Sequence, residues 1–512
     1  MSATTPDHPS AAEPELADRD LVSVQETRRL VAAAKAAQAE LAGWSQERLD
    51  GVCAALARAG AEQAADLAQL ACRETGFGLV KDKTIKNRFG SETVWQAVRG
   101  LTAVGVLSRD EAHGLVEIGV PMGVIAALVP STNPTSTVLF KSIIALKAGN
   151  AIVFSPHPAA VGCINQAARL MSQAAVAAGC PPGAIGCVSR PTMEATAELL
   201  RHRDIALILA TGGGPMVKAA YSSGNPAIGV GPGNGPAFIE RSADIPLAVK
   251  RILDSKCFDN GTICASEQSV VTEDIIKDQV VAEFERQGAH FLNPAEKAQL
   301  AAVLMRPNGT MNPAVVGRSA AQVARLAGFE VPENTRVLIG HETEVGPDVP
   351  FSKEKLCPVL AFYSQPDWER ACQLCIRLLL HEGAGHTMMI HSRDEAVIEE
   401  FGLKKPVSRL LVNTPGALGG VGATTDLAPS LTLGCGAVGG SSSSDNIGPL
   451  NLINIRRVAR GRRELEDLEP AGAGQVGGAG TTGMTAAAED ELVERVLRRL
   501  LEKLTNERSL NH

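Results

Sequence analysis

The sequence predicts an α/β fold built on parallel sheets, and three observations carry that prediction. Between residues 124 and 222 short apolar runs alternate with segments of helix length. Three of those runs end in polar turns shaped by Gly and Pro: Pro130-Ser-Thr-Asn-Pro134, Ser155-Pro-His-Pro158 and Thr211-Gly-Gly-Gly214. A second alternating segment, from about residue 236 to 432, repeats the pattern. Strands separated by helices of this length form βαβ units, and open parallel sheets bind ligands at the carboxyl ends of their strands.

Residues 1–19 hold Pro, Ala, Glu and Asp without an apolar core, which predicts a disordered tail rather than a signal peptide or membrane span. From Val22 to about Gly100 the chain is rich in Ala and Leu, with helical periodicity over Arg28–Leu41, Gln46–Arg58 and Glu62–Thr75. Leu115–Val120 and Val124–Val129, interrupted by Pro121-Met-Gly123, read as two strands joined by a tight connection. The alternation then runs strand Val124–Val129, helix Thr135–Lys147, strand Ala151–Phe154, helix Ala159–Ala178, strand Ile185–Val188 and helix Met193–His202. Strand Ile205–Ala210 and helix Gly214–Ser222 follow, and far downstream Asn451–Val458 alternates like an edge strand. Residues 469–485 are a Gly/Ala/Thr-rich linker. Beyond it, Leu492, Val493, Val496, Leu497, Leu500, Leu501 and Leu504 make one apolar helix face, acidic at its start and basic toward its end. An isolated helix so short is marginal in water, so its apolar stripe is expected to dock on a partner.

Net charge of −7, a pI near 5.9 and 3% aromatic residues disfavour nucleic-acid binding, which needs a clustered positive face and often stacking rings. Apolar runs such as Val124–Val129 fall far short of the about 20 residues a membrane helix requires. Eleven scattered cysteines in a long chain predict reduced thiols and a cytosolic location. Cys372 and Cys375 form a CxxC in a helical run without a second pair, and read as core. His381, His386 and His391 recur every five residues, a spacing that matches no helix face and no familiar ligand set, so no metal is expected.

One thiol stands out. In Phe258-Asp-Asn-Gly-Thr-Ile-Cys-Ala-Ser-Glu-Gln-Ser269, small residues flank Cys264 and let backbone amides approach whatever is bonded to the sulfur, as an acyl-transfer nucleophile requires. On the residues alone the pattern is weak, and a buried core cysteine acting as a small hydrophobe is the commoner fate. Cys257 reads as core, Glu267 as solvated or structural, Asn133 as a turn residue before Pro134, and Thr211-Gly-Gly-Gly214 as a tight turn into a helix.

Taken in order, the motifs resemble the CoA-acylating branch of the aldehyde dehydrogenase superfamily. They are Val129-Pro-Ser-Thr-Asn-Pro-Thr135, Lys147-Ala-Gly-Asn150, Phe154-Ser-Pro-His-Pro158, Gly179-Cys-Pro-Pro-Gly183 and Ala210-Thr-Gly-Gly-Gly214. Gly229-Val-Gly-Pro-Gly-Asn-Gly-Pro236, the Cys264 segment, Glu354-Lys-Leu-Cys-Pro-Val359, Gly383-Ala-Gly-His-Thr387 and Pro429-Ser-Leu-Thr-Leu-Gly-Cys-Gly436 complete the set. That branch includes propionaldehyde and acetaldehyde dehydrogenases of bacterial microcompartments. The resemblance implies an aldehyde dehydrogenase fold: a Rossmann-like cofactor domain (20–110 and 124–235), a catalytic α/β domain (236–436) and a β-hairpin oligomerisation element (111–123 with 437–468).

It also implies site roles. Cys264 matches the nucleophile, Asn133 the oxyanion donor, and His386 a residue assisting CoA or hydride geometry, or else one that merely satisfies loop backbone. Thr132, Ser155, Thr211, Gly212, Gly213, Gly231, Glu354 and Leu356 match cofactor contacts, with Glu354 on the nicotinamide ribose. Ser155 stands where the family usually has a lysine, which leaves NAD and NADP both open. Hydrolytic members carry a glutamate base where this chain has Val230 or Gly231, so the enzyme thioester is expected to pass to coenzyme A. The implied reaction is oxidation of propanal or ethanal to acyl-CoA with NAD, in a homo-oligomer held in a microcompartment lumen. Residues 486–512 look like an encapsulation peptide that binds shell or cargo proteins. A hydrolytic dehydrogenase, an acyl-phosphate reductase and a non-catalytic nucleotide-binding scaffold are the alternatives.

Overall fold

The computed structural model describes residues 18–468. The expected tail up to residue 17, the linker 469–485 and the amphipathic helix 486–512 lie outside the described residues. Residues 18 and 19, placed in the expected tail, are already part of a helix: Asp18 caps α1 (Arg19–Leu41), its carboxylate accepting from the backbone N–H groups of Asp20 and Leu21. α2 (Gln46–Glu62), α3 (Ala64–Thr75) and α4 (Val80–Arg88) continue the helical layer, and α4 runs into a π-helical turn, Phe89–Thr93.

Strands β1 (Gly105–Asp110) and β2 (Leu115–Pro121) come next. β3 (Val124–Val129), β4 (Ala151–Pro156), β5 (Ile185–Cys187), β6 (Ile205–Thr211) and β7 (Ala227–Val230) form a five-stranded parallel sheet in the order β5-β4-β3-β6-β7. β8 (Pro236–Ile239), β9 (Ser269–Glu273), β10 (Ala289–Phe291), β11 (Val337–His341), β12 (Val359–Gln365), β13 (Gly385–His391) and β14 (Val407–Val412) form a seven-stranded parallel sheet, β10-β11-β12-β9-β8-β13-β14. β15 (Ile453–Ala459) joins β2 to give a third sheet, β1-β2-β15.

Both faces of the five-stranded sheet are covered, so β3 is buried at every residue and reads as a continuous apolar run rather than an alternating one. The helix Pro134–Lys147 is likewise buried along its whole length. It carries Lys141 into the core, where Nζ donates to the carbonyls of Leu128 and Leu209 (2.9 Å each), tying the ends of β3 and β6 together. β3 and β6 are the adjacent strands at which the strand order reverses, and such a switch point leaves a crevice between the turns that follow the two strands.

Leu115–Pro121 and Val124–Val129 are the two strands expected, joined by the tight connection Met122-Gly123, and they lie in different sheets. Between them Gly123 takes φ 140° and gives its N–H to Asn150 Oδ1 (2.9 Å), turning the chain away before the strands can pair. One expectation needs correction: the third sheet recruits β1, from the stretch placed in the cofactor domain, whereas residues 437–452 hold short 3-10 turns and one isolated bridge, Asn446 to Leu433, and give that sheet no strand. A separate small unit holds the turn Glu111–Leu115 and the described residues from Ala459 onward, where Arg460 N donates to Gly114 O (3.0 Å). No described helix is long and apolar enough to cross a membrane.

Candidate active site

Cys264 follows a backbone segment that an L-residue chain adopts only under constraint. Asp259 (φ 50°), Asn260 (φ 52°) and Gly261 (φ 77°) are consecutive left-handed residues, two of them bearing side chains. The constraint comes from Asp259, which is fully buried. Its Oδ1 accepts from Leu79 N (2.7 Å). Its Oδ2 accepts from Lys83 Nζ (2.8 Å), Lys86 Nζ (2.5 Å) and the Thr262 hydroxyl (2.7 Å). Asn260 Nδ2 donates to Gly317 O (2.9 Å). Burial opposes ionisation of Asp259, but the Lys86 and Lys83 ammonium groups outweigh it and hold the carboxyl below its ordinary value.

A cleft of about 360 Å³ opens at the switch point. One wall is the turn after β3, Pro130 to Asn133, and another is the turn after β6, Thr211 to Gly213. Val230, Gly231 and Pro232 close a third side, and Thr262, Cys264, Glu354 and Leu356 face them from the seven-stranded half. Thr132, Asn133, Thr211, Gly212, Gly213, Gly231, Cys264, Glu354 and Leu356, all singled out from sequence, therefore share one cavity. Ser155 lies in an adjoining cavity of about 630 Å³ that shares Pro215 and Met216 with the cleft, and its Oγ is 3.1 Å from Thr196 Oγ1.

His386 is fully buried on β13, and its Nε2 lies 3.1 Å from Cys264 Sγ. Its Nδ1 is 2.9 Å from Thr387 Oγ1. With Nδ1–H donating to that hydroxyl, the Nε2 lone pair faces the sulfur, the tautomer in which imidazole can accept the thiol proton. Burial pushes the Cys264 thiol up to about 12, with the Glu354 carboxyl adding to it and Arg409 opposing. Burial pulls His386 down to about 3, and Arg409 adds to it. The resting pair is thus a neutral thiol against a neutral imidazole. Arg409 is buried behind it, donating to the carbonyls of Gly434 and His386.

Glu354 is the one carboxylate on the cleft wall. Burial, then Glu382, push it up to about 8, and Oε1 accepts the Gly233 N–H (2.9 Å). No acid stands at Val230, Gly231 or Pro232. The glycines of that run divide their work. A Cβ on Gly233 would lie 2.0 Å from the Cys264 carbonyl oxygen, so that glycine permits close packing, whereas Gly231 faces open space. Thr211 Oγ1 on the cleft wall is buried without a hydrogen-bond partner, and a phosphate or ribose oxygen would satisfy it. With the serine hydroxyl and the paired cavities, the donor set fits an extended dinucleotide.

Glu267 is not solvated. It is fully buried, accepts from Gly416 N (2.8 Å), and is pushed up to about 7 by burial. Cys257 is half-buried rather than core, its Sγ donating to Arg336 O (3.2 Å). Among the described residues no group of three or more His, Cys, Asp or Glu is placed to hold a metal ion. Sequence reasoning missed Lys83, Lys86, Asp259 and Arg409. Lys83 and Lys86 share one face of α4, but nothing local marks that face as buried.

The profile of the aldehyde dehydrogenase family matches residues 5–348. The chain belongs to the aldehyde dehydrogenase family. Among its relatives is the bifunctional aldehyde-alcohol dehydrogenase AdhE of Escherichia coli (strain K12), 47% identical over 445 residues, which are 86% of this chain and 50% of that protein. The chain thus spans about half the length of such bifunctional relatives. A probable aldehyde dehydrogenase from Listeria monocytogenes EGD-e is 60% identical with a TM-score of 0.87, covering 88% of this chain and 100% of that one. An acetylating aldehyde dehydrogenase from Geobacillus thermoglucosidasius is 50% identical with a TM-score of 0.86, covering 88% and 99%. A more distant solved structure, propionaldehyde dehydrogenase of Rhodopseudomonas palustris with bound CoA and an acylated cysteine, is 26% identical with a TM-score of 0.76, covering 85% and 97%. The mixed α/β architecture with its two parallel sheets is the aldehyde dehydrogenase fold.

Proposed function

We propose that this aldehyde dehydrogenase family member is a CoA-acylating, NAD-dependent enzyme: aldehyde, CoA and NAD⁺ give acyl-CoA and NADH through a thioester on Cys264. The observation that carries the reading is the Cys264–His386 contact of 3.1 Å in a cleft without a carboxylate at Val230–Pro232. The acetylating Geobacillus protein and the R. palustris protein, with its acylated cysteine and bound CoA, support it.

The chain's own groups supply the following roles. His386 Nε2 takes the proton of Cys264 as sulfur attacks the aldehyde carbon. The Asn133 amide N–H₂ donates to the oxyanion of the resulting tetrahedral thiohemiacetal, and one such donor contributes about 10²–10³ in rate. The dinucleotide supplies the hydride acceptor. Thr132, Thr211, Gly212, Gly213, Gly231, Glu354 and Leu356 would line its nicotinamide and phosphate portion, and Ser155 its adenosine portion. With no carboxylate at Val230, Gly231 or Pro232, where hydrolytic members carry their base, water lacks that group's general-base help, worth about 10²–10⁴, and the CoA thiol competes successfully.

We assign the cofactor-binding part to 20–104 and 124–235, the catalytic part to 236–436, and an oligomerisation role to the sheet of β1, β2 and β15. A short-chain aldehyde, propanal or ethanal, is the proposed substrate. Residues 486–512 are the proposed encapsulation helix, directing the homo-oligomer to a bacterial microcompartment through shell or cargo proteins. The test is NADH formation from propanal with and without CoA, in wild type and Cys264→Ala. Acyl-CoA production that requires both CoA and Cys264 is expected; free acid without CoA marks a hydrolytic enzyme, and absent NADH a non-catalytic scaffold. Deleting 470–512 should leave turnover unchanged while reducing aggregation or shell association.

A further inference from the structure

We propose that Lys86 is a positioning residue: it fixes the Asn133 amide as oxyanion donor and locks that amide to the Cys264 turn. The inference rests on the acylation chemistry proposed above. Lys86 is 4% exposed and does not line the cleft, so it acts through others. Its Nζ lies 2.7 Å from Asn133 Oδ1. An ammonium group can only donate, so the amide oxygen must face Lys86. The amide nitrogen is left to face the cleft, with Thr132 Oγ1 its one weak protein acceptor at 3.3 Å.

The same Nζ reaches the segment that carries the nucleophile. It donates to Asp259 Oδ2, to Thr262 Oγ1 (3.1 Å) and to Thr262 O (3.3 Å), two residues before Cys264. Lys83 repeats the bridge one turn earlier, from Thr132 O (2.9 Å) to Asp259 Oδ2. Two ammonium groups thus share one fully buried carboxylate, with only the half-buried Asp82, on the Asp259 N–H, as a further acid nearby. Of the two ammonium groups, Lys86 is the one that touches the Asn133 amide beside the point where the oxyanion develops. α4 is itself anchored there. Asn87 Oδ1 accepts the Thr135 hydroxyl (2.8 Å), and Asn87 Nδ2 donates to Ala64 O (2.8 Å). The π turn after Arg88, a feature often found near functional sites, packs Gly90 against the helix Pro134–Lys147: a Cβ on that glycine would come within 2.8 Å of Ser136 O.

The test is a double-mutant cycle on the acylation half-reaction, read as the NADH burst from aldehyde and NAD⁺ before CoA is added. Lys86→Met is expected to slow the burst about 10²-fold while the KM for aldehyde stays within about threefold. Asn133→Ala is expected to lose as much or more, and the double variant to be no slower than Asn133→Ala within about threefold. Lys86→Gln, which can still donate to Asn133 Oδ1 but carries no charge, is expected to fall between wild type and Lys86→Met. It also replaces Lys86→Met in the cycle should that variant lose its thermal unfolding transition. A Lys86→Met burst within about threefold of wild type, or losses that multiply in the double variant, overturns the proposal. If the wild-type thioester ends as free acid rather than acyl-CoA, the CoA-acylating reading fails while the cycle remains readable; a wild type without any burst overturns both.

Discussion

Replacing His386 by alanine tests how a fully protonated thiol becomes a nucleophile. In the free protein the Cys264 thiol is raised to about 12, so at pH 7 roughly 10⁻⁵ of the molecules carry thiolate. The imidazole 3.1 Å away, pulled down to about 3, is neutral throughout the working range and can take the proton as the carbon–sulfur bond forms. General-base assistance of this kind is worth about 10²–10⁴. His386→Ala should therefore slow acylation at pH 7 by that factor. Its log rate should climb about one unit per pH unit from pH 7 to 10, because only pre-formed thiolate then reacts. Wild type should stay flat over pH 5–7, since a group that titrates near 3 has already lost its proton there. Stopped-flow NADH bursts with aldehyde and NAD⁺, in buffers spanning pH 5–10, measure both quantities. A variant burst within about threefold of wild type at pH 7, or one that keeps the flat profile, refutes the base role.

Three further outcomes are expected. Asp259→Asn leaves two buried ammonium groups without their carboxylate and should cost about 3–5 kcal/mol in urea unfolding. Asp259 is held below its ordinary value in the fold, so its stabilisation is present above the unfolded value and is lost as pH falls; the gap between wild type and variant should begin to narrow only below pH 3.8. Glu267 moves the opposite way, from 4.5 to about 7, so wild type should lose stability relative to Glu267→Gln as pH rises from about 4.5 to 7. Equal unfolding midpoint differences at pH 5 and pH 8 would contradict that. Gly233→Ala places a Cβ 2.0 Å from the Cys264 carbonyl oxygen and should displace the nucleophile, cutting steady-state NADH formation about 10²-fold with the fold retained by circular dichroism.

What could be read from sequence was local. The turns Pro130–Pro134 and Thr211–Gly214 follow apolar strands and announce the crevice, and the small residues around Cys264 single it out as the candidate nucleophile. What could not be read depends on distant partners. Lys83 and Lys86 meet Asp259 across 176 and 173 residues, and α4 by itself resembles an ordinary charged helix. His386 meets Cys264 across 122 residues, which is why its sequence context left a loop role standing beside a catalytic one. β1 escaped notice because its exposed Ser108, Arg109 and Asp110 lack the apolar run of a buried strand. The tight β2–β3 connection was legible in Pro121-Met-Gly123, but not its direction, which is set by Asn150, a residue of another loop.

The two lysines of α4 also limit how the site can breathe. The turn bearing Asn133 and the segment bearing Asp259 and Cys264 are clasped by the same ammonium groups, so parting them would strand a buried charge in each half. Wide hinge opening is thus closed off as a route for ligand exchange. Ligands would then exchange through the mouth of the cleft itself, past Met216 and Gly231, while its two walls stay clasped.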